Sequence, residues 1–384
     1  MTRKICVVVT ARATYSRIRT ALEAIHAHPQ LELQLVAAAS ALVDRYGNVV
    51  RVIEADGLQP AARLYTLIEG ENLPVMAKST SLALAELSTV FDNLRPDFVV
   101  TVADRYETIA TAIAAAYMNI PLVHIQGGEV TGSIDEKTRH AVTKLADYHF
   151  VASPMAAERV RRMGESPDRI YVTGCPSIDL AAEVLRNPTL DFDPVEKYGG
   201  VGPRFEFRQG YLVVLQHPVT TEYTQNRRHI EETLLAVKQL RQPTFWFWPN
   251  PDAGSHLTAK AIRVFRELND APYIHFFKNM DPKDFLRLVY RCKVLVGNSS
   301  VGIRECSYLG VPVVNIGSRQ EGRERGRNVI DVPYEHTAIV EAVRYQMANG
   351  RYPCEKLYGD GQSGKRIADL LVRIPPVYEK RLAY

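Results

Sequence analysis

The sequence predicts an α/β chain made of two doubly wound, Rossmann-like domains facing a cleft. Three observations carry that prediction. Short, nearly all-apolar runs alternate with amphipathic helical stretches, the alternation runs through twice, and a segment rich in Pro, Gly and charge separates the two series. With 384 residues, 46% of them hydrophobic, the chain can bury a large core and has the length of two domains.

Lys4 to Thr10 is an apolar strand, followed by a helical pattern from Tyr15 to His26 and a second strand from Leu31 to Ala38, a βαβ opening. Further strands fit Phe98 to Val102, Pro121 to Ile125, Tyr148 to Ala152 and Ile170 to Val172. Helices at Tyr106 to Met118, Asp135 to Leu145 and Met155 to Met163 lie between them. Asn187 to Arg208, with its prolines and glycines, reads as a linker. The second series has strands at Tyr211 to Leu215, Thr244 to Trp248, Tyr273 to Phe277, Val294 to Val296 and Val313 to Ile316, with helices such as Arg228 to Leu240 and Ser255 to Leu268. The expected domains are therefore 1–186 and 209–363 around the linker 187–208, with a C-terminal helix at 364–384 completing the first domain.

Composition excludes several classes. The apolar run near the N-terminus, Ile5 to Val9, is too short for a signal peptide or membrane span, so a cytoplasmic protein is expected. The five cysteines are scattered and form no C-x-x-C pair, which predicts neither disulfides nor zinc; no metal is expected. A net charge of +4 from interleaved basic and acidic residues does not predict a nucleic-acid partner.

Polar clusters stand at the strand ends, where doubly wound folds place their sites. From Val294 to Val332, a strand enters Gly297-Asn298-Ser299-Ser300, a helix opens near Gly302, and an arginine-rich loop from Arg319 to Arg327 follows the next strand. Small residues at a helix N-terminus admit phosphate oxygens, and Glu305 one turn later could accept hydrogen bonds from sugar hydroxyls; an ordinary capped turn is the alternative. Five further clusters are Thr10 to Tyr15, Asp104-Arg105, His124 to Glu129, Gln216 to Thr221 and Pro249 to Ser255. Singly, Asp104 reads as a helix cap, His217 as a satisfied histidine or an acid–base group, and Gly127-Gly128 as a tight turn. Together they read as a site with carboxylates (Asp104, Glu129, Glu136), one histidine (His217) and arginines (Arg12, Arg105, Arg319, Arg323). That inventory fits elimination or substitution at a phosphorylated carbon. Hydride transfer fits poorly, because the first turn lacks G-x-G-x-x-G. Gly359 to Lys365 has P-loop spacing, but Arg366 stands where Ser or Thr should be and no apolar strand precedes it, so it reads as a hinge.

The strings TARATYS, YGN, DRYE, GGEVTGSIDEKTRHAVTKLA, GCPS, QHPVTT, PNPDAGS, GNSSVGIRE, NIGSRQEGRERG and YPCEKLYGDG span nearly the whole chain. In these the chain resembles the hydrolysing UDP-N-acetylglucosamine 2-epimerases, both the bacterial sialic-acid-pathway enzymes and the epimerase half of the animal bifunctional epimerase/kinase. The resemblance implies a glycosyltransferase-B-like fold and a homodimer or homotetramer. It also implies metal-free conversion of UDP-N-acetylglucosamine to N-acetylmannosamine and UDP, by anti elimination to 2-acetamidoglucal and water addition. Ser299, Ser300 and Gly302 would then hold the diphosphate, Glu305 the ribose, and Arg12 and Arg319 further parts of the nucleotide. Asp104, Glu136 and His217 fall at catalytic positions. Tyr15, Arg105, Asn250 and Arg323 complete the expected substrate contacts, and Glu129 and Gln126 the expected reaction centre. No cofactor is expected beyond UDP as part of substrate and product. One position departs from the animal pattern: Gln126 stands where those enzymes have glutamate, and bacterial relatives vary there. Glutamine takes no proton at neutral pH, so Gln126 is expected to orient the sugar. The same chemistry on UDP-2,4-diacetamido-2,4,6-trideoxyglucose or GDP-GlcNAc, a glycosyltransferase, and a non-catalytic nucleotide-sugar binder are the rival readings.

Overall fold

Two all-parallel sheets organise the chain in the computed structural model, which describes residues 2–70, 72–103, 105–131, 134–249 and 254–383. The first sheet holds β1 (Arg3–Val9), β2 (Leu31–Ala38), β3 (Pro60–Leu64), β4 (Phe98–Val102), β5 (Leu122–Ile125), β6 (Tyr148–Val151) and β7 (Ile170–Val172), in the order 3-2-1-4-5-6-7. The second holds β8 (Leu212–Leu215), β9 (Thr244–Phe247), β10 (Ile274–Phe277), β11 (Val294–Gly297), β12 (Val313–Ile316) and β13 (Val329–Val332), in the order 10-9-8-11-12-13. Both are doubly wound, as expected. Strand order reverses between β1 and β4 and again between β8 and β11, and ligands of such sheets bind beyond the strand C-termini at that reversal. The reading from sequence misses β3 and β13 for a physical reason. Both are edge strands, and each is largely half-exposed, so neither carries the unbroken apolar run of a central strand.

The chain divides into two compact units, one comprising Met1–Glu129, Ile134–Leu180 and Tyr358–Tyr384, the other Val130–Ser133 and Ala181–Leu357. In the first, Val7, Val9, Val100 and Phe150 pack under Ile18, Leu22 and Ile25 of the helix Arg12–Ala27 and under Ile367 and Leu371 near the C-terminus. The other face of that sheet is covered by Leu87 and Phe91 of Leu73–Leu94 and Val142 of Ile134–Leu145. In the second unit, Trp246, Val296 and Val314 pack with Ile230 and Val237 of Asn226–Leu240 and with Ile339 and Val343 of His336–Asn349.

The last helix is shorter than the expected 364–384. It runs Ser363–Arg373 and stops where Pro375 and Pro376 remove the donors and geometry needed to continue. Its N-terminus explains the P-loop-like string: the amides of Ser363 and Gly364 donate to the Asp179 carboxylate at 2.9 and 2.7 Å, and Thr20 Oγ1 donates to it at 3.0 Å. The amides that a phosphate would need serve an internal carboxylate instead. Gly364 lets this helix close on its neighbour, since a Cβ there would stand 2.5 Å from the Thr20 carbonyl oxygen.

Beyond Arg373 the chain is a strap. Tyr148 donates its hydroxyl to the Pro375 carbonyl at 2.7 Å, the Ala383 amide donates to Gly164 O at 2.9 Å, and Lys380 Nζ reaches buried Glu165 at 2.7 Å. Lys144 Nζ and His149 Nε2 hold the same carboxylate at 2.5 and 3.0 Å. Burial alone would raise the Glu165 pKa, but the hydrogen bonds from His149, Lys144 and Lys380 outweigh it and hold the group at about 2 against an ordinary 4.5. A carboxylate held low stabilises the fold above its ordinary value, here by about 3 kcal/mol, and that contribution disappears as pH falls from there through the folded value. Melting curves taken from neutral pH down to the Glu165 value of about 2 should fall more steeply for the wild type than for Glu165→Gln; equal slopes would refute this role.

Candidate active site

In the first unit three strand ends carry non-glycine residues in the left-handed region: Ala39 after β2, Ala103 after β4 and Gln126 after β5, with φ of 51°, 62° and 66°. Each such residue costs about 1–3 kcal/mol, and such residues cluster at functional sites. The last two extend the parallel ladder before the chain turns, Ala103 N donating to Ile125 O at 2.8 Å and Gln126 N to Phe150 O at 2.9 Å. Buried His124 braces them: its Nε2 lies 2.9 Å from Ala103 O and its Nδ1 3.2 Å from Thr143 Oγ1. A carbonyl can only accept, which assigns the proton to Nε2. The glycines that follow are required by close approach. A Cβ on Gly127 would stand 2.9 Å from His124 Nδ1, and one on Gly128, at φ 75°, would stand 2.2 Å from Ala156 O.

Glu136 lies in the first turn of Ile134–Leu145 with its side chain 29% exposed. Arg139 Nη1 donates to its Oε2 at 2.8 Å, and His140 Nε2 lies 2.8 Å from its Oε1. Arg139, itself wholly buried, also donates to the Glu129 carbonyl at 2.9 Å and so fixes the helix to the glycine turn. The result is a reachable carboxylate with both oxygens oriented. Arg12 opens the helix Arg12–Ala27 at the end of β1, half-buried; desolvation lowers its guanidinium to about 10, which leaves it a cation at neutral pH.

In the second unit, Gly297 ends β11 at φ 139°, where a Cβ would sit 2.2 Å from the Leu215 carbonyl oxygen, so only glycine fits. Asn298 then clamps the adjacent strand end: its Oδ1 accepts from His217 N at 2.7 Å and its Nδ2 donates to His217 O at 2.8 Å. The Asn298 carbonyl accepts from Gln320 Nε2 at 2.9 Å and Arg319 Nη1 at 3.3 Å. One buried asparagine thus ties the ends of β8, β11 and β12 together. Ser299 caps Ser300–Ile303, its Oγ accepting from Val301 N at 3.4 Å. That helix is only one turn long. The backbone breaks at Arg304, and Glu305–Leu309 continues with Glu305 buried. The amide end of the turn and the Arg319 guanidinium form a positive strand-end pole of the kind that takes an anion.

A family model described as UDP-N-acetylglucosamine 2-epimerase matches residues 23–372. The chain belongs to the UDP-N-acetylglucosamine 2-epimerase family. It is 33% identical to a UDP-N,N'-diacetylbacillosamine 2-epimerase (hydrolyzing) of Legionella pneumophila, over 98% of this chain and 97% of that protein. It is 29% identical to a UDP-N-acetylglucosamine 2-epimerase of Neisseria meningitidis, over 97% of this chain and 95% of that protein. The crystal structure of the Neisseria meningitidis UDP-GlcNAc 2-epimerase bound to UDP-GlcNAc shares the fold at a TM-score of 0.80 and 18% identity, covering 97% of this chain and all of that one.

Of the residues expected from sequence, Asp104 and Asn250 lie outside the described residues. Arg12 and Glu136 lie at the strand-end face of the first unit; His217, Ser299, Ser300, Glu305 and Arg319 lie at that of the second. Six others are buried or engaged within the fold. Tyr15 belongs to the core and donates its hydroxyl to Asp56, so it supports its helix and is not offered to a ligand. Buried Arg105 is held by Glu107 through Nε at 3.1 Å and Nη2 at 2.9 Å. Gly302 spends its amide on Ser299 O at 3.1 Å, and a Cβ there would stand 2.8 Å from Val313 Cγ1, so this glycine serves helix–sheet packing. Gln126 is wholly buried, its Nε2 donating to Cys175 Sγ at 2.9 Å, which places its side chain in the interior and not toward a sugar. Glu129 is buried and contributes its carbonyl to Arg139, and Arg323 is buried with Nη1 on Gln320 Oε1 at 2.8 Å. Sequence reasoning missed Arg139, His140 and Asn298. The first two were detectable as the i+3 and i+4 neighbours of Glu136 on one helix face; the clamp of Asn298 had no local signal. Among the described residues no helix is long and apolar enough to cross a membrane, and no cluster of metal-ligating side chains occurs.

Proposed function

We propose that the chain is a hydrolysing 2-epimerase converting UDP-N-acetylglucosamine to N-acetylmannosamine and UDP, at the first committed step of a sialic-acid-type pathway. The observation that carries this is Glu136, whose two oxygens are each held at 2.8 Å in a family named for inversion at C2. The C2 proton of the sugar is not acidified by a carbonyl. Cleavage of the C1–O bond must therefore lead, and the oxocarbenium character it creates makes C2–H removable. Arg12 and Arg319 stabilise charge on the departing UDP, with Ser299 and Ser300 as donors to its phosphates. Glu136 takes the C2 proton to give 2-acetamidoglucal. Water then adds at C1 while a second group, His217 or Asp104, returns a proton to the opposite face of C2. The names of relatives in Legionella pneumophila and Campylobacter jejuni, both diacetylbacillosamine 2-epimerases, favour one second reading: the same chemistry on UDP-2,4-diacetamido-2,4,6-trideoxyglucose. The reacting carbons are identical, and only contacts to C4 and C6 separate the two substrates.

Incubation with each nucleotide sugar in D2O, followed by NMR, tests both. The first reading expects free N-acetylmannosamine deuterated at C2 together with UDP. Turnover confined to the diacetamido sugar would select the second, whereas UDP-N-acetylmannosamine as product would rule out the hydrolytic step in either.

A further inference from the structure

Arg319 sits in a turn that is gripped from outside the anion pole, by residues to which the reaction described above gives no part. The turn begins at Gly317, φ 73°, directly after β12, and the Tyr334 ring lies against it so closely that a Cβ on Gly317 would stand 2.0 Å from Tyr334 Cζ. Tyr334 is itself sandwiched: the His229 ring stacks on it with centroids 3.5 Å apart and planes 1° from parallel. Glu222 stands beside both. Its Oε1 accepts from the Ser318 hydroxyl, and its Oε2 is 3.4 Å from His229 Nδ1. Its own segment, Thr220–Gln225, is rigidly based, because Asn226 clamps Val219 by accepting from its amide at 2.8 Å and donating to its carbonyl at 3.2 Å.

We propose that Glu222 is a positioning residue for Arg319: by fixing Ser318 it sets the turn from which the Arg319 guanidinium reaches the anion pole. The chain of contacts is continuous. Glu222 holds Ser318, the next residue is Arg319, and Arg319 and Gln320 both donate to the Asn298 carbonyl at the head of the cradle. A guanidinium gains full hydrogen-bond strength with phosphate only in a narrow range of orientations, so a turn held at Gly317, Ser318 and Gln320 retains affinity that a loose turn loses to ordering entropy. Glu222 needs no contact with substrate to do this. The inference rests on the reading of Arg319 as a contact to UDP.

UDP itself is the probe, titrated by calorimetry into the full chain. Glu222→Ala should weaken UDP about tenfold, Ser318→Ala should weaken it comparably, and Glu222→Gln, which keeps an acceptor for Ser318, should stay near wild type. The double variant Glu222→Ala/Arg319→Ala should bind no worse than Arg319→Ala alone, since both remove one interaction. A residue that merely stabilised the fold would lower the melting temperature and give additive losses. UDP affinity unchanged in Glu222→Ala, or additive with Arg319→Ala, overturns the positioning role while leaving the function standing. Wild-type protein that fails to bind UDP, or binding indifferent to Arg319→Ala, overturns the nucleotide assignment first and the positioning role with it.

Discussion

Glu136→Gln is expected to lower kcat about a thousandfold and to abolish exchange of the C2 proton with solvent, with UDP affinity close to wild type. The substitution keeps the shape and leaves an acceptor for Arg139, which donates to Oε2 at 2.8 Å, so the helix start should remain in place. What disappears is the capacity to take a proton. Positioned acid–base groups contribute about a hundredfold to ten-thousandfold, and this one abstracts a carbon-bound proton, which argues for the upper half of that range. Because Glu136 meets the sugar and not the nucleotide in this scheme, the loss should fall on kcat. Arg139→Lys should give a smaller loss through misorientation, since Nη1, which donates to both Glu136 and the Glu129 carbonyl, is held in place by a rigid planar guanidinium that lysine's flexible stem lacks. The assignment would be wrong if Glu136→Gln retained C2 deuterium exchange while Gln126→Ala, at a buried amide beside Cys175, eliminated it.

These residues also show which parts of the fold and site could be read in advance. The central strands β1, β4, β5, β8 and β11 are buried along nearly their whole length and so announce themselves as apolar runs, whereas edge strands β3 and β13 do not. Clusters at the strand ends were legible because parallel sheets bring all strand C-termini to one edge. Direction was not legible. Whether Tyr15 or Gln126 turns toward a ligand or into the core depends on backbone φ and on neighbours distant in sequence, Asp56 in one case and Cys175 in the other. The same holds for Arg105, whose partner Glu107 is two residues away but whose burial is set by the packed sheet around it. Sequence placed acids and bases at the strand ends as a set, while long-range contacts decided which of the described ones are exposed and which are held in the interior.

Asn298→Ala should cost about 4 kcal/mol and lower the melting temperature of the second unit by about 10 °C, with UDP affinity lost in parallel. The side chain makes two hydrogen bonds to the His217 main chain, at 2.7 and 2.8 Å, and both residues are buried. Truncation takes these hydrogen bonds from one buried amide and one buried carbonyl, and each such loss costs about 1–3 kcal/mol. Loss of the clamp also frees the end of β8 from that of β11, so His217 and the Ser299 cap no longer share a fixed frame. Asn298→Asp separates the two contributions. Its carboxylate can still accept from the His217 amide, but the second oxygen then faces the His217 carbonyl, acceptor against acceptor, so this variant should be destabilised as well despite its nearly identical shape. Leucine would fill the volume and satisfy neither group, and should fare no better. The measurements are thermal unfolding and UDP titration on all three variants. If Asn298→Asp melts with the wild type and binds UDP equally well, the Nδ2 bond to His217 contributes nothing, and the clamp reduces to its single acceptor contact. Because the side chain donates once and accepts once, the position requires a carboxamide, and asparagine is the one that reaches from the turn after β11 to the neighbouring strand end.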